Sequence, residues 1–332
     1  MTESARPTPS DTSARDRIVG ADRLVPLLGG GAVRYVNLDN AASTPPMADA
    51  LRAVNDIAPW YSSVHRGSGF KSRLCTEAYE WARRSIGRFV GADRNSQTVI
   101  FGKNTTEAIN KLSFRLPLGP DRVVISTELE HHSNDLPWRA RGRVVHARCL
   151  PDGRLDEEHV DRLLAEHAGR VALLAVTGAA NVTGYIQPIH RLARKAHAAG
   201  AAILVDAAQL APHRRIDMRS DNDPEHLDFV TLSAHKMYAP FGTGALVGPT
   251  EVFRHSAPEY CGGGTVEAVT LDEVDWSEPP EREEAGSPNV IGAVAMAASA
   301  RALEAMGMDA VAEHEGRLLR YALERLARVP GI

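Results

Sequence analysis

The chain has 332 residues, with 38 Lys and Arg against 42 Asp and Glu, and 43% of its residues are apolar. This is enough to bury a large core, and a formal net charge of −4 argues against binding nucleic acid through bulk positive charge. Three cysteines, Cys75, Cys149 and Cys261, form no C-x-x-C pair, which argues against a disulfide framework or zinc knuckle and predicts a reduced, cytoplasmic chain. Residues 1–17 lack the apolar stretch of a signal peptide and read as a solvated tail. Gly29-Gly30-Gly31 reads as a flexible turn. Beyond it, β-branched runs predict strands at 99–101, 123–125, 144–145, 172–176, 203–205, 229–232 and 245–247. Helical periodicity falls between them at 105–114, 156–166 and 189–199.

The alternation predicts an α/β fold with a large, mostly parallel sheet covered by helices on both faces. Trp276-Ser277-Glu278-Pro279-Pro280 breaks regular structure, and helices follow at 290–306 and 309–326. No apolar run reaches the roughly eighteen residues of a membrane span, so no membrane partner is expected. We divide the chain into a tail at 1–17, a large domain at 18–285 and the start of a small C-terminal domain at 286–332. That last domain reads as interrupted, and its two helices are expected to lack the sheet they would cover, leaving apolar surface exposed.

In sheets of this kind ligands sit outside the carboxyl ends of the strands. Two strand ends there carry chemistry. Ile203-Leu204-Val205 runs into Asp206, and Phe229 to Leu232 runs into Ser233-Ala234-His235-Lys236 before a Gly-rich turn. Each alone is an ordinary capping Asp or a surface Lys. Together they offer an acid and an amine at one sheet edge, the pair that pyridoxal 5'-phosphate needs for its ring nitrogen and its Schiff base. Thr105 and Thr106 open a helix directly after a strand, where free N–H groups suit a phosphate; N-capping by Thr, with Glu107 nearby, is the plainer reading. Gly242-x-Gly244 has the wrong spacing for a dinucleotide fingerprint, and Gly102-Lys103 lacks the upstream Gly of a Walker loop.

From Leu38-Asp39-Asn40-Ala41-Ala42 onward the chain resembles the class V aminotransferase-fold enzymes, in particular the cysteine desulfurase and selenocysteine lyase branch. The matching stretches are Val64 to Gly67, Asn104 to Asn110, Glu130-His131-His132-Ser133-Asn134, Asn181 to Gly184, Asp206 to Gln209, Ser233 to Lys236, Gly262 to Gly264 and Glu284 to Asn289. The resemblance implies the type I fold of pyridoxal-phosphate enzymes, with the cofactor in the large domain. It implies Lys236 as the Schiff-base lysine, Asp206 as the partner of the pyridinium nitrogen, and His131 as the imidazole stacked over the ring. Gln209 would bond the phenolic oxygen, and Thr106, Ser233 and His235 the phosphate, with Thr105 and Asn181 among the other cofactor contacts. Ser287 stands where relatives often carry a Thr that reaches the neighbouring subunit's cofactor, which implies a homodimer with shared active sites. No metal is expected, because Glu128, Glu130, His131 and His132 have irregular ligand spacing.

The implied activity is removal of sulfur from L-cysteine, giving alanine, with a sulfur-acceptor protein as a further partner. Two departures qualify it. Desulfurases attack with a Cys, and hold the substrate carboxylate with an Arg, from a segment beyond the point where this chain stops. Of the cysteines present, Cys75 reads as core, Cys149 follows a strand and Cys261 precedes Gly262. Thr177-Gly178-Ala179-Ala180-Asn181 also stands where desulfurases usually carry a His and a Ser. C–S lysis, epimerisation and transamination therefore remain open, as does a cofactor-binding protein without desulfurase activity.

Overall fold

The computed structural model of the chain describes residues 14–255 and 257–331. A hairpin of β1 (Leu24–Pro26) and β2 (Ala32–Arg34) comes first, followed by α1 (Ala48–Ile57) and α2 (Phe70–Phe89). Next come β3 (Gln97–Gly102), α3 (Thr105–Arg115), β4 (Val123–Thr127), α4 (Leu136–Arg141) and β5 (Arg143–Ala147). Then follow α5 (Glu157–Glu166), β6 (Val171–Thr177), α6 (Ile189–Ala198), β7 (Ala202–Asp206), β8 (Phe229–Ser233) and β9 (Gly244–Pro249). A second hairpin, β10 (Val266–Val269) with β11 (Val274–Trp276), precedes α7 (Val290–Met306) and α8 (Met308–Leu326).

Seven strands form one mixed sheet in the order β3-β9-β8-β7-β6-β4-β5. Pairs among β5, β4, β6, β7 and β8 are parallel, and β9 runs antiparallel to both neighbours. The reason lies in the connection: residues 234–243 hold only a 3-10 turn, too little chain for the crossover of about a dozen residues or more that a parallel return needs. Every residue of β4, β6 and β8 is buried, as expected of strands covered on both faces. Register sets Thr177 opposite Asp206, Asp206 opposite Thr231, and Ser233 opposite Gly244, so the chemical residues share one edge.

Several expectations change. Ala14–Arg17, assigned to the tail, forms a 3-10 turn whose Arg17 lies 3.8 Å from Asp49; residues 1–13 of the tail lie outside the described residues. The cap of α3 is Asn104, not a Thr, and it accepts from the Glu107 N–H at 3.0 Å. Trp276 closes β11 rather than a break in structure. Helix α7 does not lack cover: it packs on α1 and α2 and is buried from Val290 through Leu303 on nearly every side, which its Ala-rich, almost uniformly apolar sequence permits. Of the two helices only α8 shows a run of apolar surface, at Leu318, Leu319, Tyr321, Leu323 and Leu326. Gly30 and Gly31 turn the first hairpin at φ +87° and +79°, values open to glycine. Among the described residues no single helix is long and apolar enough to cross a membrane.

Candidate active site

Where β4, β6, β7 and β8 end, a cavity of about 410 Å³ opens, lined by residues that include Asn104, Thr105, Thr106, His131, Ser133, Thr177, Asn181, Asp206, Gln209, Ser233, His235 and Lys236. Asp206 is the last residue of β7 and is 4% exposed. One of its carboxylate oxygens accepts the Ala208 N–H at 3.0 Å. Burial raises its pKa above the ordinary value, while that N–H and the charges of Lys236 and His131 oppose the rise. Lys236 ends the 3-10 turn that β8 runs into. Desolvation lowers the pKa of its amine, against the pull of Asp206. The turn is also anchored to the N-terminal segment, because the His235 carbonyl accepts both the N–H and the hydroxyl of Thr44 at 2.9 Å.

The first turn of α3 faces the same cavity. Asn104 caps it, and the Glu107 carboxylate reaches back to the Lys103 N–H at 2.6 Å. Its approach to the sheet depends on Gly244, where a Cβ would lie 2.5 Å from the backbone of Asn104. The Thr106 and Ser133 hydroxyls are 2.7 Å apart, and the Ser133 hydroxyl lies 2.9 Å from His131 Nδ1. The Ser133 N–H also donates to that nitrogen at 3.1 Å. Nδ1 is thereby an acceptor, and in the neutral imidazole Nε2 carries the proton. Gln209 uses one amide hydrogen on the Ala41 carbonyl at 2.8 Å.

Two residues here carried no assigned role on sequence grounds. Ser133 is one; a hydroxyl two positions after His131 was the available signal. Glu130 is the other, considered only as a metal ligand. Its carboxylate accepts from the Thr127 hydroxyl at 2.6 Å, the Thr177 N–H at 2.9 Å and the Asn134 amide at 2.6 Å. Desolvation pushes its pKa up to about 8 against those three donors, and the charge of Asp206 adds to the rise.

Ser287 does not join this cavity. It lines a second one of about 260 Å³ with Tyr61, Ser63 and Arg66, whose guanidinium donates to the Gly286 carbonyl at 3.0 Å. Glu284 holds that segment in place, accepting from Tyr79, Arg83 and the Phe101 N–H at 2.6–2.9 Å. Among the described residues no cysteine lines the main cavity: Cys75 is buried in α2, and Cys149 and Cys261 are exposed.

The aminotransferase class-V family model matches residues 36–332. A cysteine desulfurase of Dickeya dadantii is 38% identical over 303 residues, covering 88% of this chain and 72% of that protein. A cysteine desulfurase of Haloferax volcanii is 35% identical, covering 90% of this chain and 70% of its own length. Among solved structures, the apo cysteine desulfurase of Thermococcus onnurineus NA1 superposes with a TM-score of 0.80 at 31% identity, over 87% of this chain and 72% of that one. The cysteine desulfurase CsdA of Escherichia coli superposes with a TM-score of 0.74 at 30% identity, over 88% and 73% respectively. By sequence and by fold, the chain belongs to the class V aminotransferase family.

Proposed function

We propose that the chain is a pyridoxal-phosphate-dependent enzyme of the cysteine desulfurase type, acting on a small amino acid. The observation that carries this reading is the convergence of Asp206 and Lys236 on one cavity at the carboxyl edge of the sheet. The donor set fits the cofactor. The N–H groups of the α3 first turn, with Thr106, Ser233 and His235, suit a phosphate. Asp206, desolvated in the cavity wall, would hold the proton of the cofactor's ring nitrogen. When bound, pyridoxal phosphate supplies an electron sink for the electrons left at the substrate α-carbon. Lys236, its amine held below the ordinary lysine value, would anchor the cofactor and move the proton at that carbon. His131 would cover the ring face and present its Nε2 proton, and Gln209 would orient the ring through its second amide hydrogen.

A second reading, another class V reaction such as C–S lysis, epimerisation or transamination, is favoured by one observation: Thr177, Ala179 and Asn181 line the cavity where desulfurases usually carry a His and a Ser. Ser287 beside Arg66 in a separate cavity supports a homodimer in which one copy completes the site of the other. The free thiols support a cytoplasmic location.

The test is covalent capture. Protein incubated with pyridoxal phosphate should gain a visible absorbance band that borohydride fixes to the peptide containing Lys236. Lys236→Ala should show neither. Wild-type protein that stays colourless overturns the proposal.

A further inference from the structure

We propose that Glu130 is a positioning residue: its carboxyl group ties the ends of β4 and β6 to the turn that carries His131 and so fixes where that imidazole sits over the cofactor ring. The inference deepens, and rests on, the pyridoxal-phosphate reading.

The hydrogen-bond pattern leaves little freedom. Thr127 Oγ1 accepts the Leu129 N–H at 3.1 Å, so its own hydrogen goes to Glu130. Asn134 Oδ1 accepts Trp138 Nε1–H at 3.1 Å, which commits the Asn134 amide nitrogen to Glu130. The third donor, the Thr177 N–H, belongs to the backbone at the end of β6. All three partners therefore donate, and all three are buried, with Asn134 at 0% exposure. Without the carboxylate each would lose its acceptor, and a buried donor left unpaired is costly.

The bond from Glu130 to Asn134 also closes a small ring of chain around His131. Within it the Asn134 N–H donates to the His131 carbonyl at 2.8 Å, and Ser133 holds His131 Nδ1. The ring is pinned at both ends: Glu130 grips the strand ends, and Trp138, buried in α4, grips Asn134. The His131 imidazole, among the described residues, bonds only to Ser133 within the same turn. Ser133 ties it on to Thr106 of α3, while the direct tie of this turn to the strand ends, and so to Asp206 opposite Thr177, runs through Glu130.

The experiment is a double-mutant cycle on pyridoxal phosphate binding, using Glu130→Gln, His131→Ala and the combined variant. Dissociation constants come from visible absorbance, and the visible circular dichroism of the bound cofactor reports the ring's surroundings. Glu130→Gln should weaken binding about tenfold and diminish the dichroic band, because a displaced imidazole no longer packs on the ring. In the His131→Ala background the same change should cost less than about twofold, since the two act as one unit. Equal losses in both backgrounds, or unchanged binding and dichroism in Glu130→Gln, would overturn the inference. If Glu130→Gln does not fold, Thr127→Val, which removes a single donor, takes its place in the same cycle: a loss confined to the His131 background supports the inference, and equal losses or none overturn it. Wild-type protein that binds no cofactor defeats the functional reading itself, and this inference with it.

Discussion

The hydroxyls of Thr106 and Ser133 lie 2.7 Å apart and join the first turn of α3 to Nδ1 of His131. Two walls of the cavity are thus linked by a chain of hydrogen bonds. Ser133→Ala removes the middle of that chain and leaves the Ser133 N–H on Nδ1. We expect cofactor binding to weaken by about threefold to tenfold, the cost of one hydrogen bond. The dissociation constant of pyridoxal phosphate checks it, and an unchanged value would show that the link carries no binding energy.

Asp206→Asn should separate chemistry from binding. Asn keeps the size and can still accept the Ala208 N–H, but it cannot hold a proton on a ring nitrogen. Turnover should fall about a hundredfold or more while cofactor affinity changes little, the pattern of an interaction made mainly in the transition state. Steady-state kinetics beside cofactor titration measures both, and equal turnover in the two proteins would contradict the assigned role.

Both Asp206 and Glu130 have raised pKa values, Glu130 to about 8. At neutral pH the folded cofactor-free chain therefore holds on Glu130 a proton that the unfolded chain has released. A raised folded-state pKa contributes stability that is full below the ordinary carboxyl value and is lost as pH rises through the folded one. The melting temperature of cofactor-free protein should fall as pH rises from about 5 to about 8, and fall less in Glu130→Gln. Parallel melting curves for the two proteins across that window would refute the Glu130 shift.

Gly244→Ala should be destabilising beyond its single methyl. The new Cβ would meet the Asn104 backbone at 2.5 Å, and backbone held by the α3 cap has no room to retreat. A loss of about 1–3 kcal/mol is expected, as for overpacking elsewhere. Urea denaturation gives the value, and a midpoint equal to that of wild type would mean that α3 can shift freely.

Desulfuration through a persulfide needs a thiolate at the substrate sulfur. None of the three cysteines, all among the described residues, lines the cavity. The 332-residue chain should release sulfide from cysteine slowly, and Cys261→Ser should leave that rate unchanged. Brisk release abolished by Cys261→Ser would make Cys261 the nucleophile.

The large sheet could be read from the sequence because each buried strand contains a short apolar run, and the two residues that end β7 and the turn after β8 follow those runs closely. Asp206 and Lys236 were legible for that reason. Other features were not. The reversal of β9 depends on what the connection after Lys236 can span, and the cover over α7 on contacts with helices far away in the chain. Glu130 gathers donors from Thr127, Thr177 and Asn134, and nothing in local spacing announces that β4 and β6 lie side by side. Asn104 took the cap of α3 from the threonines because its side chain reaches the Glu107 N–H while Thr105 and Thr106 are already helical. The place of Ser287 follows from Glu284, whose partners on α2 and β3 are nearly two hundred residues away or more.

The reversal of β9 has a kinetic meaning. A parallel return would have led the chain away over a sheet face, leaving one end of the Lys236 segment moored at the cavity. Instead residues 234–243 begin and end in adjacent paired strands, and the Ala234 N–H closes the loop on the Thr243 carbonyl at 2.9 Å. The backbone that carries Lys236 is therefore held to the sheet. On the proposed reading, a carbonyl compound seated in the cavity would meet the Lys236 amine at an effective concentration far above any that free lysine reaches in solution, with no bimolecular search.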